Sequence, residues 1–134
     1  MLLTGTHPRT LDDKKRLVLP SRLREQLGDV SKLFVTKAQD QSLGLYRPQE
    51  MDQLAAKIDQ ASATSQEVRV FSRMFFASME EVEVDRAGRI LIPDRLVQYA
   101  GLKHEVVLVG IRDHLELWDA ARWEEYEARN ATQF

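Results

Sequence analysis

At 134 residues, with 43% hydrophobic and 30% charged side chains, the chain is long enough for one core of ordinary size and too apolar for a disordered polymer. The absence of cysteine excludes a disulfide framework and a cysteine-ligated zinc site. A net charge of -2 excludes a uniformly basic nucleic-acid coat, yet the charge is uneven: residues 1–50 hold nine Lys and Arg against six Asp and Glu (+3), and residues 51–134 hold ten against fifteen (-5).

No apolar run approaches the roughly 18 residues of a membrane span. Met1-Leu2-Leu3 leads into Thr-Gly-Thr and not into the apolar centre of a secretion signal. A cytoplasmic protein with no membrane partner is expected.

In chain order, Thr6 to Leu11 reads as a strand, Asp12 to Lys15 as a turn, and Arg16 to Leu19 as a returning aliphatic strand ended by Pro20. Ser21 is placed to cap a brief helix over Arg22 to Leu27, and Gly28 stands where a helix end requires positive φ. Leu33 to Thr36 reads as a buried strand, Ala38 to Ser42 as a turn and Leu43 to Tyr46 as its return. Pro48 suits the first turn of a helix reaching Gln60. After a link at Ala61 to Ala63, Thr64-Ser-Gln-Glu67 has the spacing of a capping box and opens a helix through about Ala77. Its Val68, Phe71, Met74/Phe75 and Met79 recur at helical spacing and are expected to pack against the rest of the fold, while Arg69 and Arg73 on the other face suit subunit contacts or solvent.

The same order then repeats. Residues 12–28, DDKKRLVLPSRLREQLG, return 73 positions later as DRAGRILIPDRLVQYAG, pairing Asp12 with Asp85, Arg16 with Arg89, Pro20 with Pro93, Arg22 with Arg95 and Gly28 with Gly101. Asp94 becomes the expected cap of a helix over Arg95 to Ala100. Val106 to Val109 and Leu115 to Trp118 form the second buried pair of strands, and Asp119 is placed to cap a helix through about Arg129. Past the first strand pair the offset falls to 72, so that Leu43, Leu45, Tyr46 and Met51 answer to Leu115, Leu117, Trp118 and Trp123; one residue separates the two intervening turns. The expected division is residues 5–47 and 76–119 as two equivalent units, 48–75 as a helical connector and 120–134 as a closing helix and tail. A single hairpin buries too little apolar surface to stand alone, so the two copies are expected to interlock about a pseudo-two-fold axis.

Two D-x-x-x-R turns are the constellations with chemical content. In each, a carboxylate stands four residues before a guanidinium, where the pair can brace a tight turn and aim its cations. Arg presents a planar fork that matches guanine O6 and N7 in the major groove, which a two-stranded ribbon can enter, and Lys acts as a point charge on phosphate. Arg16 and either Arg86 or Arg89 are therefore candidate base readers, Lys14 and Lys15 candidate phosphate contacts, and Asp12 and Asp85 turn braces. Bracing alone, with solvated lysines, is the other reading of these turns.

Catalysis has little to draw on. His7, His104 and His114 are scattered, and neither a nucleophile elbow nor a phosphate loop occurs. Glu81, Glu83 and Asp85 alternate as on one face of a strand, a weak magnesium pattern without further ligands at useful spacing. No enzyme activity, catalytic residue, cofactor, metal or small-molecule substrate is expected.

At LDDKKRLVLP (11–20), RVFSRMFFAS (69–78), VDRAGRILIP (84–93), YAGL (99–102) and LELWDAARWEEY (115–126) the chain resembles the MraZ family over nearly its whole length. The resemblance implies an α+β fold, mainly β, in which tandem swapped-hairpin units of SpoVT-AbrB type form a pseudo-two-fold double-hairpin barrel. It further implies a nucleoid-associated, ring-forming, autoregulatory transcriptional regulator, most simply a repressor, that binds repeated G-rich promoter elements of a division and cell-wall gene cluster. The first-motif arginine, Arg16, is then the foremost DNA contact. The family's first motif usually reads D-x-K-G-R, and Lys15 stands here in place of the Gly, which puts a side chain at a position suited to positive φ. An antitoxin-like protein-interaction module, working through the acidic C-terminal half with Glu124, Glu125 and Glu127, is the competing reading.

Overall fold

Alternating aliphatic residues bounded by turn residues build most of the molecule, and the computed structural model describes residues 2–61 and 64–134 of it. The link expected at 61–63 therefore lies largely outside the described residues. The first copy comprises β1 (Thr6–Thr10), β2 (Arg16–Val18), α1 (Ser21–Leu27), β3 (Lys32–Lys37), β4 (Leu43–Tyr46) and α2 (Pro48–Gln60). A connecting helix, α3 (Gln66–Ala77), precedes the second copy: β5 (Glu80–Glu83), β6 (Arg89–Leu91), α4 (Asp94–Ala100), β7 (Glu105–Ile111), β8 (His114–Asp119) and α5 (Ala120–Asn130). The fold is thus α+β, with antiparallel pairing throughout.

Strands pair across the copies. β1 lies against β7, Thr6 opposite Val109, and β5 lies against β3, Lys32 opposite Glu83. β2 pairs with β6 with Leu17 opposite Ile90, and β4 pairs with β8 with Gly44 opposite Glu116. Each of these last two pairs joins a residue to its own equivalent in the other copy. An antiparallel pair of that kind lies on a two-fold axis, so one pseudo-two-fold axis passes through both. The ladders form a six-stranded sheet of order β1-β7-β8-β4-β3-β5 and a separate two-stranded ribbon, β2-β6. The outgoing and returning strands of each D-x-x-x-R turn do not form a hairpin ladder; they diverge into the two different sheets.

The core lies between these sheets. Leu17 and Ile90 of the ribbon, Leu19 and Ile92 just beyond it, Leu23 of α1 and Leu96 of α4 meet Leu33, Val35, Leu43, Leu45, Leu108, Leu115 and Leu117 of the large sheet in one buried cluster. Both copies supply it about equally. On the far face of the sheet, Trp118, Val107 and Val109 are covered by Trp123 and Tyr126 of α5.

Capping differs from the expectations in register. Pro20 and Pro93 occupy the N-cap positions of α1 and α4 in extended conformation, and their carbonyls accept the first helical N–H bonds from Arg24 and Val97. The locked φ of proline makes this entry natural, and Ser21 and Asp94 fall inside the first turn with no capping role. Ser65, not Thr64, caps α3 through its hydroxyl to Val68 N–H. Asp119 is the N-cap of α5 by position, but its Oδ1 accepts from Lys103 N–H instead. Gly28 and Gly101 have the positive φ expected of them.

The expected packing of the α3 stripe is observed in part, with Phe75 buried, Val68 and Met79 half-buried, and Phe71 and Met74 exposed. Among its apolar residues only Phe75 is buried, held where Thr36 Oγ1 donates to the Phe75 carbonyl and contacts Ser78 Oγ at 3.0 Å. Val70, Phe71, Met74 and Phe76 are exposed, Met74 to 54%. The helix is fastened at its C-terminal end, and Val70, Phe71, Met74 and Phe76 leave an exposed apolar surface along it.

Because the core is shared, Leu17→Ala in the first copy should destabilise the whole chain by about 2–5 kcal/mol. Both tryptophans lie in the second copy, so their fluorescence during urea unfolding checks this directly. A single transition shifted to lower urea is the expected result; an unchanged tryptophan transition would contradict the shared core.

Candidate nucleic-acid interface

Side chains alternate along the ribbon. With Leu17 and Ile90 turned into the core, Arg16, Val18, Arg89 and Leu91 share the opposite face. Arg16 stands opposite Leu91 and Arg89 opposite Val18, so the two guanidinium groups lie diagonally across the pseudo-two-fold axis. Val18 and Leu91, exposed to 40% and 54%, stand beside the two arginines on this face.

Each arginine is held by its own turn. In the first, Asp12 Oδ1 accepts from Lys14 N–H (2.9 Å) and Arg16 N–H (2.8 Å), and Oδ2 accepts from Arg16 Nε (3.0 Å). In the second, Asp85 Oδ1 accepts from Ala87 N–H (3.0 Å) and Arg89 N–H (2.8 Å), and Oδ2 from Arg89 Nε (2.8 Å). Backbone bonds repeat as well: Asp12 N–H to Arg16 O and Lys15 N–H to Asp12 O correspond to Asp85 N–H to Arg89 O and Gly88 N–H to Asp85 O. In both turns one aspartate oxygen accepts from the turn's backbone and the other from the guanidinium.

Hydrogen bonds to the charged form hold both carboxyls below their ordinary range. For Asp12 the largest cause is the Arg16 N–H, opposed by some desolvation and helped by the Arg16 side chain; for Asp85 the Arg89 N–H leads, followed by the Arg89 side chain.

Lys15 adopts φ +65° and its equivalent Gly88 φ +78°. The turn therefore keeps its geometry despite the lysine, at the steric cost of a Cβ in the left-handed region. The carbonyl of Lys15 accepts from Ile92 N–H and that of Gly88 from Leu19 N–H, so both turns are sewn to the opposite strand of the ribbon.

The two ends of the ribbon differ chiefly in what precedes the turns. Within them, two carboxylates against three cations and one against two both leave +1. Leading into the first is His7-Pro8-Arg9-Thr10, and into the second Glu80-Glu81-Val82-Glu83. Glu81 pairs with Lys32 at 3.2 Å and Glu80 with Arg95 at 2.9 Å. Glu81 and Glu83 share the exposed side of β5, whereas Asp85 is taken up by its turn, so the three do not converge. Among the described residues no cluster of three or more acidic or histidine side chains is arranged for a metal ion. His114 stacks on Tyr46 and bonds Asp113 at 2.8 Å, and burial pushes the Tyr46 phenol up to about 12. Glu124, Glu125 and Glu127 are exposed on α5.

One contact escapes the sequence reading. Arg24 of α1 donates from Nη2 to the Arg86 carbonyl of the second turn at 3.1 Å. The available signal is a break in the repeat, for the residue 73 positions on is Val97.

Lys15→Gly should raise stability by about 1 kcal/mol in chemical denaturation, since glycine removes the left-handed penalty; a loss of stability would show that Lys15 makes compensating contacts. Because both aspartates are depressed, their stabilisation is fully present above the unfolded value near 3.9 and is lost as pH falls through the lower folded values. Amide resonances of Lys14, Arg16, Ala87 and Arg89 should accordingly stay constant from pH 7 to 5 and shift only below about pH 4. Titration of these amides near pH 5 would contradict the clamp.

Comparison with known proteins agrees with this architecture. The family model described as "MraZ protein, putative antitoxin-like" matches twice, over residues 2–74 and 75–134. Proteins named Transcriptional regulator MraZ are similar along most of the chain. That of Corynebacterium urealyticum is 44% identical over 97% of this chain and 90% of its own length. That of Acetivibrio thermocellus is 43% identical over 91% and 84%, and that of Moorella thermoacetica 40% identical over 99% and 92%. With two matched copies of the family model and a duplicated, arginine-bearing turn at the same place in each, the chain belongs to the MraZ family.

Proposed function

We propose that the protein is a transcriptional regulator that binds double-stranded DNA sequence-specifically through the outer face of the β2-β6 ribbon and its two flanking turns. The observation that carries this reading is the matched pair of aspartate clamps, which aim Arg16 and Arg89 from one two-fold ribbon. A duplex is itself two-fold in its backbone, and a paired ribbon fits the major groove, where an arginine fork reads guanine. In this reading Arg16, with Arg86 and Arg89, contacts base edges and Lys14 and Lys15 contact phosphate. Asp12 and Asp85 orient the arginines from behind. The less acidic approach to the first turn makes Arg16 the principal reader.

A few phosphate contacts yield only weak non-specific binding, on the order of 10⁻⁴ to 10⁻⁶ M. Useful affinity then requires several ribbons on one DNA segment. The exposed Val70, Phe71, Met74 and Phe76 of α3 support self-association, and a closed ring would place successive ribbons over successive promoter repeats. Effective concentration raises binding by about 10²- to 10⁴-fold where the geometry permits simultaneous contact. G-rich repeated elements upstream of a division and cell-wall gene cluster, bound autoregulatorily by a nucleoid-associated ring, are the target this reading names. An antitoxin-like partner-binding module is the second reading, favoured by the exposed acidic edge at Glu124, Glu125 and Glu127.

Arg16→Ala should abolish binding to the protein's own upstream region in a gel shift while leaving the assembly unchanged in size-exclusion chromatography. Retained binding would overturn the assignment of the reader. Lys14→Ala should weaken binding to all sequences alike and reduce the salt slope by about 1; altered base preference with an unchanged slope would contradict the phosphate role. Capture of a basic protein through Glu124, Glu125 and Glu127, with no promoter footprint, would favour the second reading.

A further inference from the structure

We infer that Arg24 is a positioning residue that locks the second turn to the helix of the first copy, so that both arginine turns meet DNA as one rigid unit; the DNA part of this inference rests on the function proposed above. Three observations converge on it. Arg24 Nη2 donates to the Arg86 carbonyl at 3.1 Å, at the tip of the second turn. The side chain also passes over Gly88, where an added Cβ would stand 2.9 Å from Arg24 Cδ and from Nε. And the tie is one-sided, because Arg24 corresponds to Val97, a buried aliphatic residue that cannot donate to the first turn.

The base of this tie is stiff. α1 is anchored by Leu23 and Leu27 in the core. Its last turn is held by the buried Arg47, whose Nη1 donates to the carbonyls of Gln26 and Leu27. β2, which carries Arg16, leads directly into α1 through Leu19 and Pro20. Arg16, Arg24, the Arg86 carbonyl and Arg89 therefore form one connected path from reader to reader. Beside the φ of +78° at Gly88, the outer part of the Arg24 side chain stands where a side chain at 88 would be, so a residue larger than glycine would displace the arginine from the turn. At the first turn no arginine crosses the backbone from the equivalent position, and Lys15 is accommodated in the same left-handed conformation. Two of the departures from the repeat, Lys15 against Gly88 and Arg24 against Val97, thus bear on the same pair of turns. Both turns are held by their own aspartate and by the opposite strand of the ribbon, and the second has the Arg24 tie in addition.

Arg24→Ala and Arg24→Lys in the full-length chain separate positioning from direct contact. Loss of one hydrogen bond to the turn should weaken promoter binding about fivefold to tenfold in both variants, with the salt slope unchanged. Hydrogen exchange should accelerate by a similar factor in peptides covering residues 84–92 and stay unchanged in those covering 11–19. In a cycle with Gly88→Ala the two substitutions should be non-additive, because removing Arg24 removes the clash. Wild-type affinity in Arg24→Lys, or a slope reduced by about 1 in Arg24→Ala, would assign Arg24 to phosphate and overturn the inference. Unchanged exchange in residues 84–92 would overturn it as well. Should the unaltered protein bind no promoter DNA, the function proposed above fails, and the exchange experiment alone still decides whether Arg24 fixes the turn.

Discussion

The pairing of β2 with β6 is the constraint on which the other features depend. Three residues from each copy form this ribbon, and Leu17 and Ile90 meet on the pseudo-two-fold axis. Their inward side chains bring the ribbon down on the large sheet and close a core that neither copy could close alone. Their pairing also determines what faces outward. Once Leu17 is in, Arg16 and Val18 are out, because side chains alternate along a strand. A slip of one residue would bury both arginines and expose the leucine and isoleucine, so the same register that stabilises the fold presents the candidate interface.

The aspartate clamps refine what the ribbon presents. An exposed arginine has many rotamers, and an exposed ion pair by itself contributes little to stability. The value of Asp12 and Asp85 lies in orientation: each uses one oxygen to shape the turn and the other to hold a guanidinium nitrogen. A guanidinium held at Nε is the fork that the function proposed above assigns to guanine recognition. Duplication supplies two such forks at a fixed separation, and the unequal strands leading into them, one bearing His7 and Arg9 and the other three glutamates, give the pair a polarity that the symmetric backbone lacks.

Symmetry is also broken in the supports. Arg47 and Asp119 stand at equivalent positions after the second strand of each hairpin. One donates to the carbonyls ending α1, and the other accepts the N–H of Lys103 just after α4. Opposite chemistries thus tie the same helix to the same strand end, by satisfying whichever backbone groups the local geometry leaves open. The connecting helix α3 has no counterpart in the repeat. Four of its apolar side chains, Val70, Phe71, Met74 and Phe76, stay exposed on an element outside the duplicated unit.

Much of this was legible before any coordinates. The two turns, the brief helices after Pro20 and Pro93, the strand pairs and the Pro48–Gln60 helix all follow from interactions spanning a few residues: alternation, the fixed φ of proline, and a carboxylate four positions from its arginine. The break in offset from 73 to 72 located the longer β3-β4 turn, with its extra short helical turn at Gln39–Gln41. Cap positions were missed by one residue because several adjacent side chains, Thr64 and Ser65 or Pro20 and Ser21, offer competing ways to begin a helix.

What only the tertiary structure decided is who pairs with whom. The sequence by itself determined a duplicated unit with a braced, cationic turn, since those are local facts. It did not determine that β1 crosses to β7 while β2 crosses to β6, because both copies present nearly the same pattern and a local signal cannot distinguish a strand's own neighbour from its equivalent 73 residues away. The exposure of the α3 stripe and the reach of Arg24 to Arg86 were hidden for the same reason. Helical spacing of apolar residues shows which side of a helix is apolar, and only the arrangement of distant elements in space decides whether anything lies against it.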